Sequence, residues 1–425
     1  MFVRFASCYL ALATFFACLH TTGAAELAVR PYLQVGADGA FTVMWCTEKP
    51  AYSWLEYGET PELGQKADRV VEGLRAANTT RHHVRLPLQN VQRFYYRVGW
   101  KVIDSFGAYR VDFQEPAYTE TYEVRPLPGP NATVRVAILN DIHENFGLFA
   151  KLAARLDEFD YDLSIFNGDV FTDIPTEDRF IRALQTYNTG VHAWERPVIY
   201  QRGNHEYRGA FARDLRGWLS PPGDHFYGAF TAGPVRFIML DAGEDKPDDH
   251  PAYSGLNDFS GYRKVQAEFL RQEIAGQAFL GARYRVLVHH IPLYAAGRKD
   301  AIWARLARDA WEGVLQDAPI TLAICGHTHR AEICAAGSEG NPYPVAIGGG
   351  SRDEDATVMH LEADPSRLAL KIFDTEGQMI QSLTIPYQLH TTPTVSSPAI
   401  PQSTRHFARY PASTPSPTMN NNSPT

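Results

Sequence analysis

From Val134 onward, short apolar runs alternate with stretches of helical spacing. The runs include "VRVAILN", "YDLSIFNGD", "PVIYQRGNHE", "VRFIMLD", "YRVLVHH" and "ITLAICG". Between them, "FGLFAKLAARLDEF", "RFIRALQTY" and "YRKVQAEFLRQEI" place apolar residues at helical intervals. This alternation predicts an α/β domain whose sheet is covered on both faces. Three closing segments, "TVMHLEA", "RLALKIFD" and "QMIQSLTIP", read as antiparallel strands.

The strand ends share one chemical character. They carry Asp141 and His143, Asp169, Asn204 and His205, His289 and His290, then His327 and His329. Carboxylates, imidazoles and an amide oxygen are metal ligands. Sites in open α/β sheets form at the carboxyl edge of the strands. In "ICGHTHR", His327 and His329 stand two apart, so an extended backbone points both to one side. Taken alone, that fragment reads better as a polar surface turn. Five strand ends of the same type make metal binding the better reading.

The series D-x-H, G-D, G-N-H-E, H-x-P and G-H-x-H resembles the calcineurin-like metallophosphoesterase superfamily over residues 133–388. The resemblance implies a layered β-sandwich flanked by helices and a centre of two transition or divalent ions, Fe, Zn or Mn. It implies that Asp141, His143 and His329 hold one ion and that Asn204, His290 and His327 hold the other, with Asp169 bridging. Pro292 selects His290 over His289 through the family's H-x-P spacing. The implied reaction is phosphate-ester hydrolysis by a hydroxide shared between the metals. Four positive charges on two divalent ions outweigh Asp141, Asp169 and that hydroxide, so an anionic ester is attracted. Asn204 and His205 would face the substrate, and His205 would hydrogen-bond phosphate or protonate the leaving group. One departure stands out. Purple acid phosphatases have G-D-x-x-Y with an iron-binding tyrosine, and "GDVFT" places Thr172 there.

Residues 26–115 show short strands and turns, as in "FTVMWCT", "HHVRLPL" and "RFYYRVGW". They predict an all-β sandwich of the fibronectin-type-III kind. "PYLQ", "TVMW" and "YYRVG" also resemble the N-terminal domain of purple acid phosphatases. His82 and His83 lack matching carboxylates and read as ordinary strand residues. A Pro-rich linker is expected over 116–131, the metallophosphoesterase domain over 132–388, and a disordered Ser/Thr/Pro-rich tail over 389–425.

Residues 1–25 read as an export signal, with Arg4, an apolar stretch and small residues at Ala24 and Ala25. This implies a secreted or periplasmic protein. A lipid anchor through Cys18 is the alternative, against which Phe15 stands. No segment of the mature chain is apolar enough to span a bilayer. The formal charge of −8 and the lack of a basic block argue against nucleic acid as a partner and leave a small phosphate ester. Cys46, Cys325 and Cys334 remain after cleavage; Cys325 and Cys334 either bridge across a hairpin or stay as buried thiols. Arg202, Arg298 and Arg330 are candidate phosphate-binding cations. The acidic segment 242–260 is either a lid or a surface insertion. Phosphomonoester hydrolysis is the leading function. A phosphodiesterase with the same centre and a non-catalytic adhesion or carbohydrate-binding protein are the alternatives.

Overall fold

The apolar runs of the second half form two six-stranded sheets in a computed structural model that describes residues 27–36, 39–86, 93–223, 225–294 and 300–388. The expected signal, the expected tail and Arg298 lie outside the described residues. One sheet runs Val198–Gln201, Leu163–Asn167, Val134–Leu139, Val358–Ala363, Arg367–Phe373, Met379–Pro386. Its first three strands are parallel and the closing three antiparallel. The second runs Gly228–Ala232, Val235–Met239, Tyr284–Val288, Leu322–Cys325, Val345–Ile347, Glu332–Cys334, with four parallel strands inside two antiparallel edges.

Strand alternation divides each sheet between two cores. Val134, Val136 and Ile138 point inward against Val235, Phe237, Met239, Val286 and Val288 of the other sheet. Ala137 and Leu139 point outward, where they meet Leu148, Phe149, Phe180 and Leu184. Those residues belong to helices α1 (Phe146–Leu156) and α2 (Glu177–Gly190). On the far side, Ile238, Leu287 and Ala323 pack on Ala267, Leu270, Ala307, Trp311 and Leu315. These lie on α3 (Phe259–Ile274), which is followed by the short α4 (Gln277–Gly281), and on α5 (Ile302–Leu315). The result is four layers, helix–sheet–sheet–helix, which explains why these strands are apolar on both faces.

The helices begin where side chains can cap them. Thr176 accepts from Arg179 N, and Glu177 and Asp178 follow in the first turn of α2, where negative charge suits the helix dipole. Asp258 caps α3 through Gly261 N. Helix α5 was not anticipated from sequence. Its buried face is Ala304, Ala307, Trp311 and Leu315, so two alanines weaken the apolar stripe.

The described residues between 27 and 124 form a two-stranded sheet, Val70–Val71 with Leu74–Arg75, and an eight-stranded antiparallel one. The 18-residue strand Phe41–Gly58 serves both of its halves. Phe41–Cys46 pairs with Leu27–Val35 and Thr79–Leu86. Ala51–Gly58 pairs with Phe94–Phe106. Phe41, Val43 and Trp45 fill the interior. Met44 and Cys46, on the other face, join Val29 and Tyr32 against the helical layer of the second half. Leu33 N donates to Ala193 O at 2.8 Å, Tyr32 OH to Trp218 O at 2.5 Å and Tyr96 OH to Trp194 O at 2.7 Å. The described residues up to Tyr387 accordingly form one compact unit.

Two expectations need correction. The segment 116–131 contributes two short strands, Ala117–Tyr118 and Tyr122–Val124, both paired with Phe94–Phe106. Tyr122 and Val124 are buried, an alternation hidden in the sequence by the surrounding prolines and charges. Cys325 and Cys334 are not hairpin neighbours, because Val345–Ile347 pairs between their strands. Two strand spacings, about 9.5 Å, exceed the reach of a disulfide, and both cysteines are buried and unbridged. No helix among the described residues is long and apolar enough to cross a membrane.

Candidate metal centre

The strand ends bring Asp141, His143, Asp169, Asn204, His290, His327 and His329 to one edge of the sandwich. Five of them leave their strands in the left-handed conformation: Asp141, His143, Asp169, His327 and His329 have φ between 50° and 72°. Asp and His are among the residues that enter that region most readily, and such strain gathers at functional sites. Glycines make the turns possible. Gly168 has φ 83°, and a Cβ there would lie 2.6 Å from the His290 ring; one on Gly326 would lie 2.5 Å from Asp141 Oδ2.

Three groups of ligand atoms each lie within 4.8 Å of one another: Asp141, His143 and His329; Asp169, His290 and His327; and His143, Asp169 and His205. Nε2 of His143 and of His329 are 3.2 Å apart, and His329 Nε2 is 3.2 Å from Asp141 Oδ1. Asn204 Oδ1 lies 2.9 Å from His327 Nδ1. Asp169 Oδ2 is 3.1 Å from His290 Nε2 and 3.9 Å from His143 Nε2. Two ligand atoms about 2.0–2.1 Å from one ion lie about 2.9–3.2 Å apart when the angle between them is about 90–100°, which the shorter of these separations match.

The remaining lone pairs and protons are fixed from behind. His290 Nδ1 donates to Asn167 O at 2.8 Å, which leaves Nε2 toward the centre. Asp141 Oδ2 accepts from Asn140 Nδ2 at 2.6 Å and from His327 N at 2.8 Å, which leaves Oδ1. Asp141 Oδ1 and His290 Nε2 are buried without a hydrogen-bond partner. Such atoms are rare and need a reason. Burial holds the His143 and His327 imidazoles down at about 4, against the pull of nearby Asp169 and Asp141. Burial also opposes charge on His290, yet Asp169 and Asp141 outweigh it and raise the imidazole to about 10. The same pairing holds Asp169 well below the carboxylate range despite its burial. A cation seated there takes the place of the His290 proton. The donor set therefore fits metal ions.

His289 is buried on the opposite side of the strand end, its Nδ1 donating to Ile291 O at 2.8 Å and its ring 6.4 Å from that of Trp311. His205 stands over Asp169, its ring 4.5 Å from that of His143. Its Nδ1 donates to Thr172 O at 2.6 Å, and its Nε2 accepts from Arg208 Nη1 at 2.7 Å. Thr172, at the position of the expected phenolate, donates through Oγ1 to His143 O at 2.7 Å.

Several neighbours were not anticipated. Glu206 is 2% exposed and accepts four backbone N–H groups: Asp169 and Gly203 on Oε2, Val170 and Phe171 on Oε1. Its place beside Asn204 and His205 in "GNHE" was the available signal. Arg208 reaches His205 and pairs with Glu244. Trp303 lies edge-on to His327 at 4.9 Å. Of the expected cations, Arg202 is committed to Asp241 at 2.7 Å between the rings of Tyr207 and Phe226. Arg330 is exposed. The start of the 242–260 segment is no solvated insertion: Ala242 and Glu244 are buried, and Asp245 pairs with Arg208 at 3.6 Å.

Comparison with known proteins agrees with this geometry. Residues 134–331 match the family model of the calcineurin-like phosphoesterases. The chain carries a calcineurin-like phosphoesterase domain. It is similar to Purple acid phosphatase 21 of Arabidopsis thaliana, with 24% identity over 303 residues that take in 66% of this chain. That match covers 60% of the plant protein's own length, less than two thirds. The solved structure of purple acid phosphatase PPD1 from yellow lupin (Lupinus luteus) seeds superposes with a TM-score of 0.64 at 16% identity, covering 86% of this chain and 77% of that one. Coverage of 86% is more than residues 132–388 alone supply, so the likeness of fold extends into the N-terminal β unit.

Proposed function

We propose that this chain is an exported, metal-dependent phosphoesterase that hydrolyses small phosphate monoesters. Asp141, His143 and His329 would hold one ion, Asn204, His290 and His327 the other, with Asp169 between them; Fe, Zn and Mn suit such N and O donors. A pair of ions so held supplies positive charge for phosphate oxygens and activates water. The observation that carries the reading is the pair of buried ligand atoms without a hydrogen-bond partner, Asp141 Oδ1 and His290 Nε2, 3.8 Å apart. Left unmet, each would cost about 1–3 kcal/mol; two ions, one at each atom, would satisfy them.

The chain's own residues do the positioning. Glu206 fixes the backbone of Asp169, Asn167 sets the His290 ring, and Asn140 sets the Asp141 carboxylate. His205 and Asn204 face the substrate side. The family match and the purple acid phosphatase relatives support the reaction class. We read residues 1–25 as the export signal, 26–115 as a fibronectin-III-like sandwich, 132–388 as the catalytic domain and 389–425 as a tail.

The test is metal content of purified protein, followed by a panel of mono- and diesters before and after chelation and metal replacement. Two ions per chain and metal-restored monoester turnover are expected. A chain without stoichiometric metal, or one with two ions and no hydrolysis, would refute the proposal. Faster turnover of diesters would move the substrate class.

A further inference from the structure

The Arg208 guanidinium has three neighbours on three sides. Its Nε and Nη2 donate to the two carboxylate oxygens of Glu244, each at 3.2 Å. Nη2 also faces Asp245 at 3.6 Å. Nη1 donates to His205 Nε2 at 2.7 Å. Glu244 is fully buried, whereas the Arg208 side chain keeps 31% of its surface. A fork held on two atoms by a buried carboxylate has little freedom left. Nη1 bears two N–H groups, and His205 takes one. The second has no acceptor among the contacts above.

The tautomer of His205 follows from its partners. Thr172 O can only accept, so Nδ1 bears the hydrogen. Arg208 can only donate, so Nε2 offers its lone pair. In this arrangement the ring's one N–H is committed to Thr172 O, and none faces a leaving group. It stands 3.9 Å from Asp169 Oδ2, between the centre and Arg208. Among the described residues, Arg202 is committed to Asp241, and Arg179 to Glu144 and Asp173.

We propose that Arg208 is the cation that receives the terminal phosphate of a dianionic monoester through its remaining Nη1–H, and that His205 positions Arg208 instead of donating a proton. This rests on the phosphoesterase reading above. A monoester presents one more anionic oxygen than a diester, so an added cation beside the metals favours monoesters. The start of the 242–260 segment then sets substrate class by holding Arg208 through Glu244.

Inorganic phosphate is the probe, titrated calorimetrically into metal-loaded wild type and Arg208→Met, with metal content measured in parallel. The variant should keep two ions and bind phosphate about 10–100-fold more weakly, the range for a lost charge-assisted hydrogen bond. Monoester kcat/KM should fall by a similar factor, and diester kcat/KM by less than about 3-fold. Arg208→Lys should recover only part, because an ammonium cannot match the Glu244 fork. Undiminished phosphate binding, or equal losses on both ester classes, would overturn the proposal. For His205→Ala, the loss should be the same for leaving groups of low and high pKa; a loss that grows with leaving-group pKa would show His205 to be the proton donor. Metal-loaded wild type that neither binds phosphate nor hydrolyses esters would sink the phosphoesterase reading, an outcome distinct from failure of Arg208 alone.

Discussion

Replacing Glu206 tests whether the centre is built on one buried carboxylate. Its two oxygens accept from Gly203 N at 2.7 Å, Asp169 N and Val170 N at 2.9 Å and Phe171 N at 3.2 Å. Burial and the Asp169 charge push the acid up toward about 7, against four N–H donors that favour the anion. In Glu206→Ala those donors lose their acceptor inside the protein. Each such bond to a charged group is worth about 1.5–3 kcal/mol. The four are coupled and do not add fully, and water entering the vacated space recovers part. A net loss of about 4 kcal/mol is expected, in the range reserved for broken buried networks. Glu206→Gln keeps the shape but sets an NH₂ against two of the donors, so about half that loss is expected. The assay is urea unfolding in chelator, since bound metal would add its own stabilisation. Metal content after reloading is the second readout, because Asp169 holds φ 52° through this contact. A Glu206→Ala protein within about 1 kcal/mol of wild type that still binds two ions would refute the reasoning.

Asp169→Ala should lose turnover by orders of magnitude and weaken both ions; two bound ions with normal turnover would remove it from the bridge. His290→Ala should fall toward one ion per chain under dialysis that leaves His289→Ala with two, since His289 faces Trp311 and Ile291. Iron-loaded, oxidised protein should show no intense phenolate band, because Thr172 has no phenol to offer; such a band would mean that another tyrosine binds. Acid should weaken the N-terminal unit through His82, which stacks on Trp45 and is held by burial at about 4, below its ordinary 6.5. The unfolded chain then binds the proton more readily, so this contribution is complete above pH 6.5 and is lost as pH falls toward 4, by about 3 kcal/mol. Urea unfolding of wild type and His82→Phe at pH 7 and pH 4.5 should show the smaller acid loss in the variant; parallel losses would exclude His82.

The fold was legible where period and burial agree. "VRVAILN" and "VRFIMLD" are apolar on both faces because two cores claim them. Where a face is finished by small or polar residues the signal fails. Helix α5 buries Ala304 and Ala307, and Tyr122–Val124 hides between prolines and charges. Phe41–Thr47 is buried on both faces, and sequence alone does not reveal that its second face meets another layer.

The candidate ligands were legible for a different reason. Each follows directly from a strand end, so chain order carries their spatial order, and only Asp, His and Asn supply the donors. Their supports leave no such trace. Glu206 acts on backbone N–H groups 35–37 positions away and on Gly203, which any sequence would provide. Glu244 reaches Arg208 across 36 positions through a turn-rich segment of many charges, where one carboxylate looks like the next. The same limit explains the choice of arginine. Arg202 and Arg208 flank the same "GNHE" motif, and composition does not tell them apart. Asp241 draws Arg202 into a slot between Tyr207 and Phe226, while Glu244 holds Arg208 toward His205. Which cation meets the substrate is thus decided by the two carboxylates that flank the end of one strand and the start of its loop, and not by the arginines themselves.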